Sequence, residues 1–566
     1  MSKVNVIIDG INIEADSSET ILDAAKRTGI IIPTLCYLKD VNNDGACRVC
    51  VVECKGKPNL ITACNNLVQD GMVIETCNPK VLEARKTNIE LLLSNHNKNC
   101  LTCGKNLNCK LQKYSYEFGC DENKIHGIKN NYELDLSSPC IVRDNNKCIL
   151  CGRCVQVCKK IQATSAIQKQ NRGFKTMVNC AFDRPISEST CVGCGQCVLV
   201  CPTGALLETS NIKKVVNYMA DPDNVVIAQV APAVRVSISE EFGYPIGTAF
   251  NEDKMVTALK RIGFDKVFDV NVGADFTVIE ETAELLERIK QNKNLPLFSS
   301  CCPAWVKYVG IHYPDMVEHL STCKSPNEML GALIKSYYAK LNNIAPEKIK
   351  VVAIMPCTAK KQEILENKDV DAVLTTRELA TLIKYKNISF NHLPDSEFDN
   401  PLGHYSGAGL IFGSTGGVTE AVLRTAVDTL TGEDNSNVDF DVVRLGDGIK
   451  EVSLEVKGTR IDICVVSGLK NAQTVVDQIV KGEKHYHFVE FMACPGGCVN
   501  GGGQPYVDYT KCDYYDVARL RAKLLYQNDQ LSKDRKSHKN QSVLDIYNDY
   551  LNPNNLSHQL LHHHKK

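Results

Sequence analysis

The sequence predicts a multidomain protein of mixed α/β and α+β class. Three observations support this prediction: a length of 566 residues, a concentration of cysteines in the first 201 residues, and alternating apolar strands and amphipathic helices from about residue 210 onward. At roughly 150 residues per domain, the length corresponds to about three or four domains. We predict four domains, at 1–80, 81–137, 138–209 and 210–527, followed by an extension at 528–566.

Charge and composition exclude several classes of protein. The chain has 65 basic and 66 acidic side chains, which argues against a nucleic-acid-binding or membrane-surface protein. The start has no apolar segment followed by a small-residue cleavage site, and no run of about 18 apolar residues follows, so we expect a cytoplasmic protein without a membrane partner. In a reducing compartment, the 28 cysteines are expected to be metal ligands or reactive thiols rather than disulfides.

The first domain is predicted to carry a small iron-sulfur cluster. Apolar residues alternate with polar ones on both sides of Asp9-Gly10, which predicts a β-hairpin, and a helix is predicted from Thr20 through Arg27. Four thiol ligands follow, at Cys36, Cys47, Cys50 and Cys64. A tight Cys-x2-Cys pair with two outlying cysteines resembles the plant-type ferredoxin pattern, which implies a β-grasp fold and one [2Fe-2S] cluster. The same ligands suit zinc, which remains the alternative.

The second domain combines one imidazole with three thiols. After a helical stretch with an apolar face, the candidate ligands are His96, Cys100, Cys103 and Cys109. This set is complete for tetrahedral zinc or for a [4Fe-4S] cluster. The segment resembles the His-ligated cluster region shared by iron-only hydrogenases and the large iron-sulfur subunit of respiratory NADH dehydrogenases.

The third domain contains a duplicated Cys-x2-Cys-x2-Cys-x3-Cys run. In bacterial ferredoxins with two clusters, the fourth cysteine of each run ligates the other cluster. That pattern assigns one [4Fe-4S] cluster to Cys148, Cys151, Cys154 and Cys201, and the other to Cys191, Cys194, Cys197 and Cys158. With the His-ligated site, these make three accessory [4Fe-4S] clusters.

The C-terminal half is predicted to be a large α/β domain with parallel sheets. Short apolar runs bounded by proline, glycine or charged residues predict strands at Val225–Val230, Lys350–Met355, Ile461–Val466 and His487–Met492. Two of these runs lead directly into Cys357 and Cys494. The carboxyl ends of parallel strands are where such sheets place their sites.

Three cysteine motifs in this half give a specific resemblance. They are Ser299-Ser-Cys-Cys-Pro-Ala-Trp305, Met355-Pro-Cys-Thr-Ala-Lys-Lys-Gln-Glu363, and the segment 490–505 containing Cys-Pro-Gly-Gly-Cys. Over roughly residues 1 to 525 the chain resembles the [FeFe]-hydrogenases of clostridial monomeric type. The resemblance implies reversible reduction of protons to H2 with electrons from reduced ferredoxin or a similar soluble carrier. It also implies heterolytic chemistry at an H-cluster, in which a [4Fe-4S] cluster is joined to a diiron subsite bearing CO, CN and dithiolate ligands, and maturation proteins that supply this subsite.

The resemblance assigns roles residue by residue. The cubane ligands would be Cys302, Cys357, Cys494 and Cys498, with Cys498 also bridging to the diiron subsite. Residues implied to contact the subsite are Ala231, Pro232, Met355, Pro356, Lys360, Met492 and Asn327. Lys360 would donate to a cyanide ligand, although without the motif it would be interpreted as a solvated helix residue. Ser299 stands where the family usually has threonine, and Asn327 where it often has glutamine.

A proton route is implied as well. Cys301 is left over when the four-ligand set is complete, and a thiol can pass protons. Glu281, Glu284 and Arg288 share one face of a predicted helix, which from spacing alone would simply be solvated. The resemblance implies instead that these three residues, with Ser321, relay protons between the surface and Cys301.

Two other functional classes remain open from the sequence. An iron-sulfur electron-transfer subunit would account for the cysteines up to Cys201 but not for the later motifs. A non-catalytic relative, such as an iron-sulfur assembly or sensory protein, would keep the cubane cysteines alone. The segment from about Asn528 is polar and Lys-rich, so we expect a loosely packed extension with one short helix, Ser542 to Leu551. His562 to His564 are assigned no metal.

Overall fold

The computed structural model of the chain describes residues 2–444 and 448–563. Short strands, turns and cysteine loops dominate up to about residue 209, and longer helices around two sheets follow. Across the described ranges, no helix combines the length and the apolar character needed to cross a membrane. All 28 cysteines are free thiols, in agreement with an expected role as ligands rather than disulfides.

The N-terminal part forms a five-stranded sheet with one helix. Its elements are β1 (Lys3–Ile8), β2 (Ile11–Asp16), α1 (Ile21–Arg27), β3 (Val51–Cys54), β4 (Ile61–Thr62) and β5 (Val73–Glu75), with strand order β2-β1-β5-β3-β4. The predicted hairpin is confirmed, with Val6 opposite Ile13. The predicted helix is also confirmed, and the Thr20 hydroxyl caps it by accepting a hydrogen bond from the Asp23 amide (3.1 Å).

The next part connects two longer helices to two small antiparallel strand pairs. Its elements are α2 (Pro79–Ser94), α3 (Lys110–Glu117), β6 (Ile141–Arg143), α4 (Arg153–Gln156), β7 (Gln168–Gln170), β8 (Met177–Asn179), α5 (Gln196–Val200) and β9 (Leu206–Glu208). Strand β6 pairs with β9, and β7 with β8. Within each duplicated cysteine run, a glycine with positive φ, Gly152 or Gly195, precedes the short helix. Only glycine adopts this turn readily, so the two runs share the same local fold.

The C-terminal half is built around two four-stranded sheets. Its elements are α6 (Ile212–Ala220), β10 (Val225–Val230), α7 (Pro232–Arg235), α8 (Glu252–Ile262), β11 (Lys266–Asp269), α9 (Val270–Gln291), β12 (Leu297–Phe298), α10 (Pro303–His312), α11 (Pro326–Leu333), α12 (Ala339–Leu341), β13 (Ile349–Met355), α13 (Lys360–Asn367), β14 (Ala372–Thr375), α14 (Thr376–Tyr385), α15 (Gly407–Leu410), α16 (Gly417–Thr431), β15 (Ile449–Val456), β16 (Thr459–Ser467), α17 (Leu469–Val480), β17 (Phe488–Met492), α18 (Tyr514–Leu531), α19 (Gln541–Ile546) and α20 (Ser557–Leu561).

The two sheets confirm the four predicted strands. The first sheet, β11-β10-β13-β14, is entirely parallel, and the second, β12-β17-β16-β15, is parallel except for β15. The predicted strands correspond to β10, β13, β16 and β17, within two residues at each end. They are buried almost throughout, as continuous apolar runs in parallel sheets require.

Four strands from both sheets end next to the motif residues. Ala231 follows β10, Cys357 follows β13 after one proline, and Cys494 follows β17 after one alanine. Strand β12 leads through two serines to Cys301 and Cys302. The carboxyl ends of two parallel sheets therefore surround one point, as expected for a site in an α/β fold.

The expectation of a loosely packed C-terminal extension is wrong. The predicted short helix is present as α19 continued by a π-turn at Tyr547–Leu551, but Val543, Ile546 and Leu551 belong to the buried core around the first sheet. The lysines that suggested exposure are partly paired: Lys536 Nζ contacts Asp428 at 2.6 Å and Asp434 at 2.7 Å. The boundary set at residue 528 falls inside α18. Of the terminal histidines, His564 lies outside the described residues.

Candidate active site

The strand ends enclose a buried cavity of about 70 Å³. Its walls are mainly apolar, with few polar groups pointing inward. The seven residues predicted to contact a subsite all line it: Ala231, Pro232, Met355, Pro356, Lys360, Met492 and Asn327. Cys301, Cys302, Cys357 and Cys498 contribute thiols to the same wall. The structure thus brings together residues separated by more than 260 positions in the chain.

The fourth thiol of the predicted cubane set lies beside the other three. Burial raises the pKa of Cys494, and the neighbouring Cys357, Cys302 and Cys498 raise it further. Burial likewise raises the pKa of Cys357 to about 11, with Cys302 adding to the effect. Four buried sulfurs this close cannot all ionise by themselves, because their charges repel. Iron ions would offset that charge and hold all four as thiolates, so this donor set fits a cubane cluster.

One ammonium group lies at the edge of the cavity. Lys360 Nζ donates to Glu363 Oε1 (2.7 Å) and to the Cys301 carbonyl oxygen (3.3 Å). Burial lowers the pKa of Lys360, but the Glu363 carboxylate outweighs burial and the net shift is upward. Lys360 is therefore a charged donor in an apolar wall, which suits an anionic ligand. Glu363 was not predicted as a site residue, and its position three residues after Lys360 on α13 was the available signal.

The two departures from the family pattern are both accommodated. The Ser299 hydroxyl accepts a hydrogen bond from the Phe491 amide (3.0 Å), which a threonine hydroxyl would also make. The side chain of Asn327 is held by Gln229, whose Nε2 donates to Asn327 Oδ1 at 2.8 Å, while Asn327 Nδ2 donates to Glu363 (3.3 Å). The shorter amide thus still reaches the cavity wall with a fixed orientation.

The predicted relay residues lie on one path outward from the cavity. Helix α9 carries Glu281 and Glu284, and Ser321 Oγ donates to Glu284 Oε2 (2.9 Å). Arg288 Nη2 donates to Glu284 Oε1 (2.6 Å). Glu281 is 1 % exposed, and its Oε2 has no hydrogen-bond partner among the described residues. Burial raises the pKa of Glu281 to about 8, and the Glu284 carboxylate adds to the shift.

Cys301 stands between this path and the cavity. Burial raises the pKa of its thiol, and the nearby Glu281 carboxylate raises it further. Both Cys301 and Glu281 are therefore mainly protonated at neutral pH, as proton carriers need to be. The face interpreted from spacing alone as solvated is buried at Glu281 and half-buried at Glu284 and Arg288.

The N-terminal thiols form a separate buried group. Hydrogen bonds from the Cys47 and Cys64 thiols lower the pKa of Cys36 to about 2, and a bond from Cys64 lowers that of Cys50. These contacts bring all four sulfurs of the predicted [2Fe-2S] set together, so the donors fit a small cluster. The Asn42 side chain ties this loop to the next site, because its Nδ2 donates to the Cys36 and Cys151 carbonyl oxygens (2.6 and 3.1 Å).

The imidazole of the second predicted set is buried and available as a ligand. His96 Nδ1 has no hydrogen-bond partner within the described part of the chain. Burial lowers the pKa of His96 to about 4, so the ring is neutral at pH 7, as a metal ligand must be. Cys103 Sγ lies against Gly204, where an added Cβ would come within 2.4 Å of the sulfur. This set therefore sits beside Cys201 of the duplicated runs.

The duplicated runs line two small cavities with exchanged fourth cysteines. One cavity is lined by Cys148, Cys151, Cys154 and Cys201, and the other by Cys158, Cys191, Cys194 and Cys197. Both groupings match the crossed assignment predicted from the spacing. The second cavity adjoins the loop that carries Cys357, because Thr358 Oγ1 donates to the Gly193 carbonyl oxygen (2.6 Å).

Family models match nearly the whole chain. "Iron only hydrogenase large subunit, C-terminal domain" matches residues 224–502, and "Iron hydrogenase small subunit" matches 515–564, the region wrongly expected to be loose. Three further models match the N-terminal part: a 2Fe-2S iron-sulfur cluster binding domain at 1–79, an NADH-ubiquinone oxidoreductase-G iron-sulfur binding region at 85–124, and a 4Fe-4S dicluster domain at 147–205.

Two relatives align with this chain over nearly the full length of both sequences. The chain is 46% identical to the NADP-reducing hydrogenase subunit HndD of Solidesulfovibrio fructosivorans, over 100% of this chain and 99% of the relative. It is 40% identical to iron hydrogenase 1 of Clostridium pasteurianum, over 98% and 99%. A solved structure of an apo [FeFe]-hydrogenase from Chlamydomonas reinhardtii aligns with a TM-score of 0.56 at 37% identity, covering 63% of this chain and 98% of that one. The chain therefore belongs to the iron-only hydrogenase family, as a hydrogenase with accessory iron-sulfur domains.

Proposed function

We propose that the protein catalyses the reversible reduction of protons to H2 with electrons from reduced ferredoxin or a similar soluble carrier. The observation that supports this most strongly is the convergence of three of the predicted cubane thiols, one buried ammonium and the Cys301 thiol on a single cavity, with the Cys494 thiol beside them. Cys302, Cys357, Cys494 and Cys498 would hold the cubane, and Cys498 would also bridge to the diiron subsite. When bound, that subsite supplies heterolytic formation and cleavage of H2.

The chain's own residues would bring protons to this cavity. A proton on Glu284 passes through the Ser321 hydroxyl to Glu281, and Glu281 passes a proton to Cys301, whose thiol faces the cavity. The raised pKa of Glu281, about 8, keeps its carboxyl neutral at pH 7, so this residue holds a proton that it can transfer. Arg288 holds Glu284 in position, because a guanidinium does not release its proton. Lys360 would orient an anionic ligand of the subsite.

Electrons would arrive through the accessory clusters. The contacts by Asn42 and by Thr358 join the [2Fe-2S] loop to the duplicated runs and those runs to the catalytic loops. Three of the four N-terminal ligand sets would thus lie along a path that ends beside Cys357, and the His96 set would join this path beside Cys201. An electron-transfer subunit alone would not need Cys301, Glu281 and Lys360 around a separate cavity, and a cubane-only relative would not need them either.

The proposed docking surface for the electron carrier lies beside the His96 ligand set. Leu101 and Leu107, which flank Cys103, are 92% and 89% exposed. A carrier that covered these two leucines would remove apolar surface from water next to the second ligand set. We propose that the carrier docks here, within contact of the second ligand set. The relative named as an NADP-reducing hydrogenase subunit supports a second candidate, in which a partner subunit linked to NADP uses the same surface.

One experiment tests the activity and the carrier together. Anaerobically matured protein is assayed for H2 evolution with reduced ferredoxin, with reduced methyl viologen and with NADPH. We expect turnover with the first two and none with NADPH for the chain alone. The double variant Leu101→Glu/Leu107→Glu should raise the KM for ferredoxin about fivefold or more and leave the methyl viologen rate unchanged. No H2 with any donor would refute the proposed activity, and an unchanged KM would refute the docking surface.

A further inference from the structure

The last described residues of the chain are bonded to the segment that carries the relay serine. The His563 amide donates to the Thr322 carbonyl oxygen (2.8 Å), and the Lys324 amide donates to the Leu561 carbonyl oxygen (2.8 Å). These bonds form an antiparallel bridge between Cys323 and His562. His562 is 8% exposed and was assigned no role from the sequence. The bridge places its imidazole directly beside helix α9.

Both ring nitrogens of His562 are in hydrogen-bond contact. Nδ1 lies 2.8 Å from Thr322 Oγ1, and Nε2 lies 3.1 Å from Glu280 Oε2. The Tyr547 hydroxyl donates to the other oxygen of Glu280 (2.5 Å), which leaves that carboxylate oriented toward the imidazole. Glu280 and Glu284 are one turn apart on the same face of α9. The imidazole of His562, which contacts Glu280, therefore also lies near Glu284.

The Thr322 hydroxyl lies between the imidazole and the relay. Thr322 Oγ1 is 3.3 Å from Glu284 Oε2, and the Thr322 amide donates to the same oxygen (3.0 Å). A hydroxyl has one proton to donate. A neutral imidazole that donates from Nε2 to Glu280 must accept at Nδ1, so the hydroxyl proton then points toward His562. A protonated imidazole donates at both nitrogens, and the hydroxyl then donates to Glu284.

We propose that His562 and Thr322 form a second proton connection to Glu284, in addition to access from solvent near Arg288. The inference rests on the proposed relay through Glu284. In the transfer, the Nδ1–H proton of the imidazolium moves to Thr322 Oγ1 while the hydroxyl proton moves to Glu284 Oε2. One proton is thus gained by Glu284 and one is lost by His562, and Thr322 ends unchanged. His562 regains a proton from solvent at Nδ1 when the contact between Nδ1 and Thr322 opens.

The neighbouring charged groups are consistent with a site that loads protons. The groups facing His562 and Thr322 are Glu280, Tyr547, Glu284 with its partner Arg288, the Cys323 thiol at 4.0 Å from Glu284 Oε2, and the stacked His558 ring at 5.0 Å between centroids. The Glu280 carboxylate stabilises the imidazolium. Arg288 is always charged and bound to Glu284, so it does not supply a proton to this connection.

Thr322→Val is the most informative variant, because it removes the hydroxyl and keeps the shape and the amide bond to Glu284. Thr322→Ser restores the hydroxyl, His562→Gln keeps polar contacts without a titrating ring, and His558→Gln changes the exposed neighbour only. H2 evolution by the holoenzyme is measured between about pH 6 and 9 and normalised to the infrared bands of the active site. Amide hydrogen exchange at Thr322–Lys324 reports separately whether the C-terminal segment stays docked.

We expect Thr322→Val and His562→Gln each to lower the rate about fivefold. This loss is smaller than the ~10²-fold contribution of a single proton-transfer group, because access near Arg288 remains. Thr322→Ser and His558→Gln should behave like the wild type, with exchange protection unchanged in all four. Wild-type rates for Thr322→Val at every pH would overturn the second connection. A loss that serine does not restore would overturn it as well. An inactive wild type would instead refute the proposed function.

Discussion

The two halves of the molecule build their metal sites in different ways. In the N-terminal half, each ligand set comes from a short stretch of chain or from two adjacent repeats, such as Cys148 to Cys201. In the C-terminal half, the four candidate cubane thiols follow three strands of two different sheets. A local set depends on spacing, whereas the distributed set depends on the whole fold. Replacing one ligand cysteine in the first half should therefore remove only the cluster that it binds. Replacing one in the second half should remove the whole active-site cluster.

The largest effect is expected from Cys498→Ala. This thiol is predicted to join the cubane to the diiron subsite, so its removal should abolish H2 evolution and the CO and CN infrared bands. Iron bound by the N-terminal half should remain, because those ligand sets are separate in the fold. Iron analysis and infrared spectra on the same sample check both points. Cys77→Ala, at an exposed thiol, is the matched control. Retention of the bands in Cys498→Ala would contradict the ligand assignment.

Cys301→Ser should separate proton supply from metal binding within the catalytic half. We expect a fall in turnover of about 10²- to 10⁴-fold, because this thiol lines the cavity and is proposed as the last proton carrier before it. The infrared bands should persist, since Cys301 lies outside the ligand set. The rate of H2 evolution is measured and divided by the amount of active site quantified from the infrared bands. Cys77→Ser is the control variant. Near-normal H2 evolution by Cys301→Ser would remove this thiol from the mechanism.

The pH dependence of H2 evolution should reflect the ionisation of Glu281. Its carboxyl is neutral below a pKa of about 8 and can then donate toward Cys301, whereas above this value the ionised form cannot. H2 evolution should therefore decline as pH rises through about 8. Glu281→Gln should be slower by about 10²-fold and should lose this limb of the profile. If the rate of Glu281→Gln still fell as the pH rose through about 8, another group would be responsible for the pH dependence.

The smallest effect is expected in the N-terminal half. Cys100→Ser should remove one cluster, visible by electron paramagnetic resonance, and leave the infrared bands intact. H2 evolution with methyl viologen should fall less than about tenfold, because the other ligand sets still connect to the catalytic loops. Loss of the active-site bands in this variant would mean that the two halves are assembled together, against the proposed separation.

Sequence patterns predicted the local features well. The hairpin around Asp9-Gly10, the helix after Thr20 and the strands before Cys357 and Cys494 all follow from alternation, capping and continuous apolar runs. The grouping of the duplicated runs into two cavities was also predictable, because the pattern of bacterial ferredoxins with two clusters assigns the fourth cysteine of each run to the other cluster. The hairpin, the helix and the strands, by contrast, depend on a few neighbouring residues.

Features that depend on distant packing were missed. The C-terminal segment was expected to be solvated because its lysines were counted as exposed. Lys536, however, is paired with Asp428 and Asp434, which lie more than 100 residues earlier in the chain. Spacing on α9 could not show that Glu281 is buried, because spacing within one helix does not reveal which other segments pack against it. Nor could it place His562 beside Thr322, 240 residues away in sequence. Such pairings are set by the tertiary fold.

Infrared spectroscopy of anaerobically matured protein tests the central claim most directly. If the cavity between the two sheets holds a diiron subsite linked to a cubane on Cys302, Cys357, Cys494 and Cys498, the spectrum will show bands of iron-bound CO and CN. These bands should be lost in Cys498→Ala and kept in Cys301→Ser. Absence of the bands from fully matured wild-type protein would contradict the proposed active site while leaving the N-terminal iron-sulfur domains in place.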